Sequence, residues 1–253
     1  MTYPILEFAP DPRAALSPEK FHQPRADMPA RGVLCFFHDV IAHLASSGLL
    51  TEIMSLRSEM GQHPVYRFTT PAGEVALMHP GIGAPLAAGC MEELIALGVR
   101  TFVACGGAGV LDSAIAVGTV LVPTAAVRDE GTSYHYLPPA REVAVAPAVV
   151  AGIAAGLSAR RVPYQKVKTW TTDAFYRETA GRIARRRAEG CACVEMETSA
   201  LCAVAQLRGV QFGQLLYGGD DVGGADWDAR GWKGQWTVRE KLTELAAEIA
   251  LSL

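Results

Sequence analysis

The stretch 99–127 constrains the fold more than any other part of this chain. It is almost wholly apolar and long enough to cross a bilayer as a single helix. Gly106, Gly107, Gly109, Asp112, Gly118 and Pro123 break it into short, valine-rich pieces. Such pieces, bounded by glycine and proline, read as strands of a buried sheet rather than as a membrane span. The same texture recurs along the chain. Segments 33–37, 65–70, 74–78, 101–105, 117–127, 164–171, 193–195 and 212–218 read as strands. Segments 39–46, 85–97, 147–159, 180–188, 198–207 and 238–253 carry helical periodicity or helix-ending signals. Pro71-Ala72-Gly73 marks a hairpin between the second and third strands.

Strands and helices alternate without a linker or an internal repeat, which predicts one α/β domain with a mixed central sheet flanked by helices. That domain covers 32–253 and follows an irregular, proline-rich arm at 1–31. Half of the 253 residues are hydrophobic, enough for a sizeable core. A net charge of −3 with mixed signs speaks against a surface dedicated to nucleic acid or to a membrane. Arg182, Arg185, Arg186 and Arg187 form the one basic cluster and read as a solvated helix face. The arm has no apolar h-region, so it does not read as a signal peptide. Cysteines 35, 90, 105, 191, 193 and 202 sit mostly in apolar contexts, with no CxxC pair and no histidine at ligand spacing. Buried free thiols in a reducing, cytoplasmic setting follow, with no metal site.

Val194-Glu195-Met196-Glu197-Thr198-Ser199-Ala200 places two acids inside an otherwise buried run. Buried acids need partners. A carboxylate can accept hydrogen bonds from the two vicinal hydroxyls of a ribose, and a thioether can pack on the ring. The same negative charge favours a sugar turning cationic as a glycosidic bond breaks. Asp220-Asp221-Val-Gly-Gly puts two more acids at the end of an apolar strand. Gly106-Gly107-Ala108-Gly109 lacks the G-x-G-x-x-G spacing of a dinucleotide fold and reads as a tight turn over which substrate meets backbone.

In this order the blocks resemble the nucleoside phosphorylase family of purine nucleoside and uridine phosphorylases. The resemblance runs over about 74–221. It rests on Gly81-Ile-Gly-Ala-Pro85 with Glu92-Glu93-Leu94, the glycine run at 106–109, Val117-Gly-Thr-Val-Leu-Val122, and Val127-Arg-Asp-Glu-Gly-Thr-Ser133. Thr172-Asp-Ala-Phe-Tyr176 and the Glu-Met-Glu segment complete it. It implies a sheet partly closed into a barrel, assembly as a dimer or hexamer, and cleavage of an N-glycosidic bond, with no cofactor and inorganic phosphate as co-substrate. Carried over, Glu197 and Met196 hold the ribose, with Glu195 beside them, and Phe175 stacks on the base. Gly106, Gly107 and Ala108 line the substrate, Arg177 is a base contact, and Asp220 assists the departing base. Asp221 takes that role if the register slips by one.

The resemblance fails where the family binds phosphate. Its Gly-Asp-Pro turn and arginine correspond here to Cys35-Phe36-Phe37-His38-Asp39-Val40-Ile41, and its second arginine falls on Ala104. A third could be Arg57 or Arg67. Each lost charge-assisted contact costs about 1.5–3 kcal/mol. Phosphorolysis is expected from the overall resemblance, purine being favoured over uridine through Asp220. Hydrolysis, with His38 or Asp39 activating water, and a non-catalytic nucleoside-binding protein are the alternatives. Trp227, Trp232 and Trp236 form either a lid over the site or a contact with the arm. Tyr134-His135-Tyr136 either meets another subunit or lines the pocket.

Overall fold

A computed structural model describes residues 3–253. Among them ten strands form one sheet: β1 (Arg31–Cys35), β2 (Leu50–Ser58), β3 (Gly61–Thr70), β4 (Gly73–Met78), β5 (Thr101–Val110), β6 (Val120–Asp129), β7 (Glu142–Ala144), β8 (Tyr164–Thr172), β9 (Cys191–Glu195) and β10 (Gln211–Asp221). The order is β10-β6-β8-β9-β5-β1-β4-β3-β2, with β7 on β6, and β10 pairs back onto β5. That last pairing closes β5, β10, β6, β8 and β9 into the expected barrel. β1 runs parallel to β4 and β5, and β5 parallel to β10, so these strands share a carboxyl end.

Six helices cover the sheet: α1 (His38–Ser46), α2 (Ala84–Leu97), α3 (Pro147–Ala159), α4 (Ala180–Ala188), α5 (Thr198–Arg208) and α6 (Trp236–Ser252). Proline in the first turn of α2 and α3 costs no hydrogen bond there, because those first N–H groups have no intrahelical acceptor. Gly209, at φ 65°, ends α5 in a left-handed conformation that favours glycine. α2 packs on α5, while α6 packs across β1, β4, β5 and β10. Phe102, Val103, Leu215 and Ala246 are fully buried between these layers.

Four expectations are corrected. The glycine run is strand rather than turn: Gly106 and Gly107 pair with Leu216 and Tyr217 of β10, and Gly109 with Val194 of β9. The glycines make room instead. A Cβ on Gly107 would lie 3.2 Å from the Tyr217 ring, and one on Gly109 would lie 3.2 Å from Val194. β2 was not expected, because it is an outer strand whose residues are mostly half-buried or exposed and show no clean alternation. β10 continues past residue 218 to Asp221, carrying both acids on the strand itself. Arg186 is buried rather than solvated, donating to Asp129 at 3.0 Å and Glu189 at 2.9 Å with its guanidinium 5.4 Å from the Trp170 ring.

The six cysteines are free and buried, as their apolar contexts implied. Among the described residues no helix is long and apolar enough to cross a membrane. The described part of the arm, residues 3–30, holds two short 3₁₀ turns and is fixed by Arg208. Nε and Nη2 of that arginine grip both oxygens of buried Glu92 at 2.8–3.0 Å, while Nη1 donates to the Pro12 carbonyl at 2.9 Å. Arg208→Ala strands the Glu92 charge, so it should cost about 3 kcal/mol in urea melts. A loss under 1 kcal/mol would mean that Glu92 finds water instead.

Candidate active site

A cavity of about 1040 Å³ opens at the carboxyl ends of β1, β5 and β10. Parallel strands place ligands there, since their ends meet loops and helix starts. The cavity gathers most of the expected residues: Gly106, Gly107, Ala108, Phe175, Glu195, Met196, Glu197 and Asp220 all line it.

β9 ends at Glu195 and α5 begins at Thr198, so the Glu-Met-Glu segment forms the strand-to-helix corner. Glu195 is consumed by that corner. Its Oε2 accepts the N–H groups of Glu197 and Thr198 at 2.7 and 2.6 Å, and its Oε1 accepts hydroxyls of Thr171 at 2.6 Å and Thr169 at 3.3 Å. It therefore satisfies the orphan donors of the α5 N-terminus rather than a sugar. Burial raises its proton affinity, and these hydrogen bonds oppose the rise. Glu195 also lines the cavity, at the foot of that corner.

Glu197 differs. Its Oε1 accepts the Gly83 N–H at 2.6 Å, at the amino end of α2, and no side chain pairs with it. Burial first, then the neighbouring charge of Glu195, pushes the Glu197 carboxyl up to about 8. The Met196 N–H also lies near the carboxyl, and Glu197 is part of the cavity wall. Met196 lies beside it, half-buried.

Across the cavity stands an acid that the sequence did not single out. Glu178 follows the 3₁₀ turn Phe175–Arg177, lines the cavity, and forms no side-chain hydrogen bond among the described residues. Burial, then the charge of Asp220, pushes it up to about 7. Asp220 Oδ2 accepts the Trp227 indole N–H at 2.7 Å. Asp221, the alternative, points elsewhere: its Oδ1 takes the Gly223 N–H at 2.8 Å, Oδ2 lies 3.9 Å from Arg230, and the cavity lining excludes it. Glu178 and Asp220 both line the cavity, close enough for the Asp220 charge to act on Glu178, and such a pair suits proton delivery to a leaving group.

Phe175 is half exposed at the rim, packed on Tyr176 with ring centroids 4.1 Å apart. Arg177, the expected base contact, is exposed and stands outside the lining. Its place in the turn sends it outward while Phe175 and Glu178 turn in. Arg57 and Arg67 lie outside the lining too, and Arg67 is paired with Glu74 at 3.3 Å. His38 is not in the lining, its ring resting against His79, and Asp39 is ion-paired to Arg239 at 2.7 Å. Phe36 and Phe37 fill the turn after β1, and Ile41 is buried in the core.

Of the three tryptophans, Trp227 and Trp232 line the cavity, while Trp236 packs edge-on against His43 at 5.3 Å. Tyr134 is neither rim nor pocket: its hydroxyl donates to the Arg128 carbonyl at 3.0 Å under that residue's guanidinium. Among the described residues no cluster of three metal-binding side chains occurs.

The chain is similar in sequence and in fold to known proteins. The chain is 32% identical to the uridine phosphorylase of Escherichia coli (strain K12) over 181 residues, 65% of this chain and 66% of that one. It is 30% identical to the guanosine phosphorylase of Halorubrum lacusprofundi over 147 residues, 56% of this chain and 59% of that one. The matches thus span less than two thirds of those relatives. In structure it is similar to a purine nucleoside phosphorylase from Toxoplasma gondii solved with immucillin-H, with a TM-score of 0.76, 21% identity, and coverage of 89% of this chain and 91% of that one. The sequence profile of the phosphorylase superfamily matches residues 30–251, from the start of β1 into the last turn of α6. By that match the chain belongs to the phosphorylase superfamily.

Proposed function

We propose that this protein cleaves the N-glycosidic bond of a nucleoside by phosphorolysis, releasing the free base and ribose 1-phosphate. The observation that carries the proposal is Glu197, a buried carboxyl in the cavity wall that backbone N–H groups hold and no cationic side chain neutralises. A buried acid without a cationic partner gains from a ligand that brings further donors. Ribose hydroxyls supply the missing donors, and the developing oxocarbenium ion gains from the anionic form.

Phosphate oxygen bonds to C1′ as the bond from C1′ to the base nitrogen breaks. The departing nitrogen keeps that electron pair and takes a proton from the Glu178–Asp220 pair. Asp220 favours a purine, whose N7 can share the proton. Relatives named for guanosine and for uridine support both base classes, so the purine preference rests on Asp220. Phe175 stacks on the base. In the same reading the chain uses no cofactor and self-associates, with Ile82 and Tyr176 exposed beside the cavity mouth.

Hydrolysis is the second reading, favoured by Phe36, Phe37 and Ala104 standing where family members bind phosphate. Chromatography of products from purine and pyrimidine nucleosides, with and without inorganic phosphate, separates the two. Phosphorolysis yields ribose 1-phosphate only when phosphate is added. Free ribose at equal rates with and without phosphate would replace it by hydrolysis, and tight binding without turnover would leave a nucleoside-binding protein.

A further inference from the structure

Glu197 takes its place from a backbone N–H, so whatever fixes that N–H bears on the site. The donor is Gly83, whose N–H reaches Oε1 at 2.6 Å. It ends the turn His79-Pro80-Gly81-Ile82-Gly83, which leads from β4 into α2. Both Gly81, at φ 80°, and Gly83, at φ 93°, lie in the left-handed region. Glycine enters that region freely and leaves it as readily, so the turn needs an outside hold. At Gly81 a Cβ would also stand 2.1 Å from the Leu86 side chain, so no bulkier residue can stiffen the chain there.

His79 supplies the hold. Its Nδ1 accepts the Gly81 N–H at 3.0 Å, a contact two residues along the chain. A ring nitrogen that accepts is unprotonated, so Nε2 carries the proton of the neutral ring. The ring is itself braced. It meets Phe36 and His38 edge-on, each with centroids 6.1 Å apart, and the Phe36 backbone lies close enough to act on it. Pro80 disfavours a helical backbone at His79 and so keeps that residue extended at the end of its strand. Burial first, then the neighbouring His38, lowers the proton affinity of the ring, with His63 adding to the effect. A ring kept neutral keeps Nδ1 free to accept. His79 is absent from the cavity lining, so any part it plays in the site runs through other residues. Two hydrogen bonds stand in series, from Gly81 to the imidazole and from Gly83 to the carboxyl.

We propose that His79 is a positioning residue for Glu197: by accepting the Gly81 N–H it sets the turn that aims the Gly83 N–H at the carboxyl. Its part in catalysis rests on the reading that Glu197 holds the ribose. Misplacement by about 1 Å in such an arrangement can cost on the order of 10²-fold in rate. Without the imidazole acceptor the two left-handed glycines rotate freely and the Gly83 N–H leaves Oε1. Glu197 then loses a fixed position and a donor that favours its ionised form.

Three variants test the proposal. His79→Ala removes the acceptor. In His79→Asn the Oδ1 atom stands in for Nδ1, because asparagine accepts the N–H two residues on. His79→Gln carries its acceptor one carbon too far. On a nucleoside that the wild type cleaves, His79→Ala and His79→Gln should lower kcat at least tenfold with KM within threefold. His79→Asn should return kcat to within threefold of wild type. Independently of turnover, NMR of protein carrying isotope-labelled glutamate reads the Glu197 titration, its signal identified by its loss in Glu197→Gln. That titration should move upward by about one pH unit in His79→Ala and His79→Gln and stay in place in His79→Asn. A lowered melting temperature with an unmoved titration makes His79 a purely structural residue and overturns the proposal. A His79→Asn protein no better than His79→Ala in both readouts overturns it too. Should His79→Ala fail to fold, the contrast between His79→Asn and His79→Gln decides in the same way. A titration that follows the expected pattern in a protein cleaving no nucleoside sinks the proposed function and leaves the hold on Glu197 standing. Cleavage that needs Glu197 but is indifferent to His79 does the reverse.

Discussion

Replacing Glu197 by glutamine should lower kcat/KM about 10²- to 10³-fold on whichever nucleoside the protein cleaves, while making the fold more stable at alkaline pH. Glutamine keeps the oxygen that accepts the Gly83 N–H, so the corner between β9 and α5 survives. What disappears is the ionisable carboxyl: above pH 8, where Glu197 is ionised, its negative charge faces a cationic sugar, a contribution of the size usually found for one electrostatic contact in a transition state. The stability effect has the opposite sign. Glu197 sits near 4.5 when unfolded and at about 8 when folded. Below pH 4.5 both states hold the proton and nothing is lost. As pH climbs through that interval the unfolded chain releases a proton that the folded chain keeps, and stability drains away until both are ionised. By pH 9 the wild type has lost roughly 4 to 5 kcal/mol that the glutamine variant retains. Denaturant melts at pH 5, 7 and 9 measure the difference. Parallel curves for the two proteins, or full activity in the variant, would remove Glu197 from the ribose.

Asp220→Asn should cut turnover by about 10²- to 10⁴-fold on purine nucleosides, the usual range for a displaced general acid or base. The pH profile should move as well. The Asp220 charge helps hold Glu178 at about 7, second to burial. Removing that charge makes Glu178 release its proton sooner, so the alkaline limb of kcat shifts to lower pH by part of the original elevation. A rate loss with an unmoved limb would mean that the two carboxyls do not share the proton. Loss confined to KM would make Asp220 a base-binding residue without a part in departure.

The elements legible in the sequence are those whose local and tertiary preferences agree. Segments 147–159 and 180–188 match α3 and α4, because a proline start or a run of strong helix formers needs no help from packing. Strand β2 was hidden because its half-exposed residues show no clean period. The run 106–109 was misjudged for a different reason. Glycine marks turns when the backbone needs positive φ, but here it marks crowding by Phe36, Tyr217 and Val194. At the site, Glu197 and Asp220 stood out as acids in or beside apolar runs. Glu178 gave no such signal, since Arg177-Glu178-Thr179 reads as an ordinary polar turn. It shares the cavity wall with residues of α4 and β10, a neighbourhood the local sequence does not show. Arg239 was equally silent, lying in Val-Arg-Glu-Lys, where a solvated helix face and a cavity wall look alike.

The cavity also has a temporal meaning. Its walls come from Phe36 just after the first strand and from Arg239 in the last helix, roughly two hundred residues apart, and contacts of such separation form late. Hairpins and helices can be in place while the pocket is still open to bulk water. During refolding, recovery of ligand binding should therefore trail recovery of secondary structure, and the binding competence of this chain is the final property it acquires.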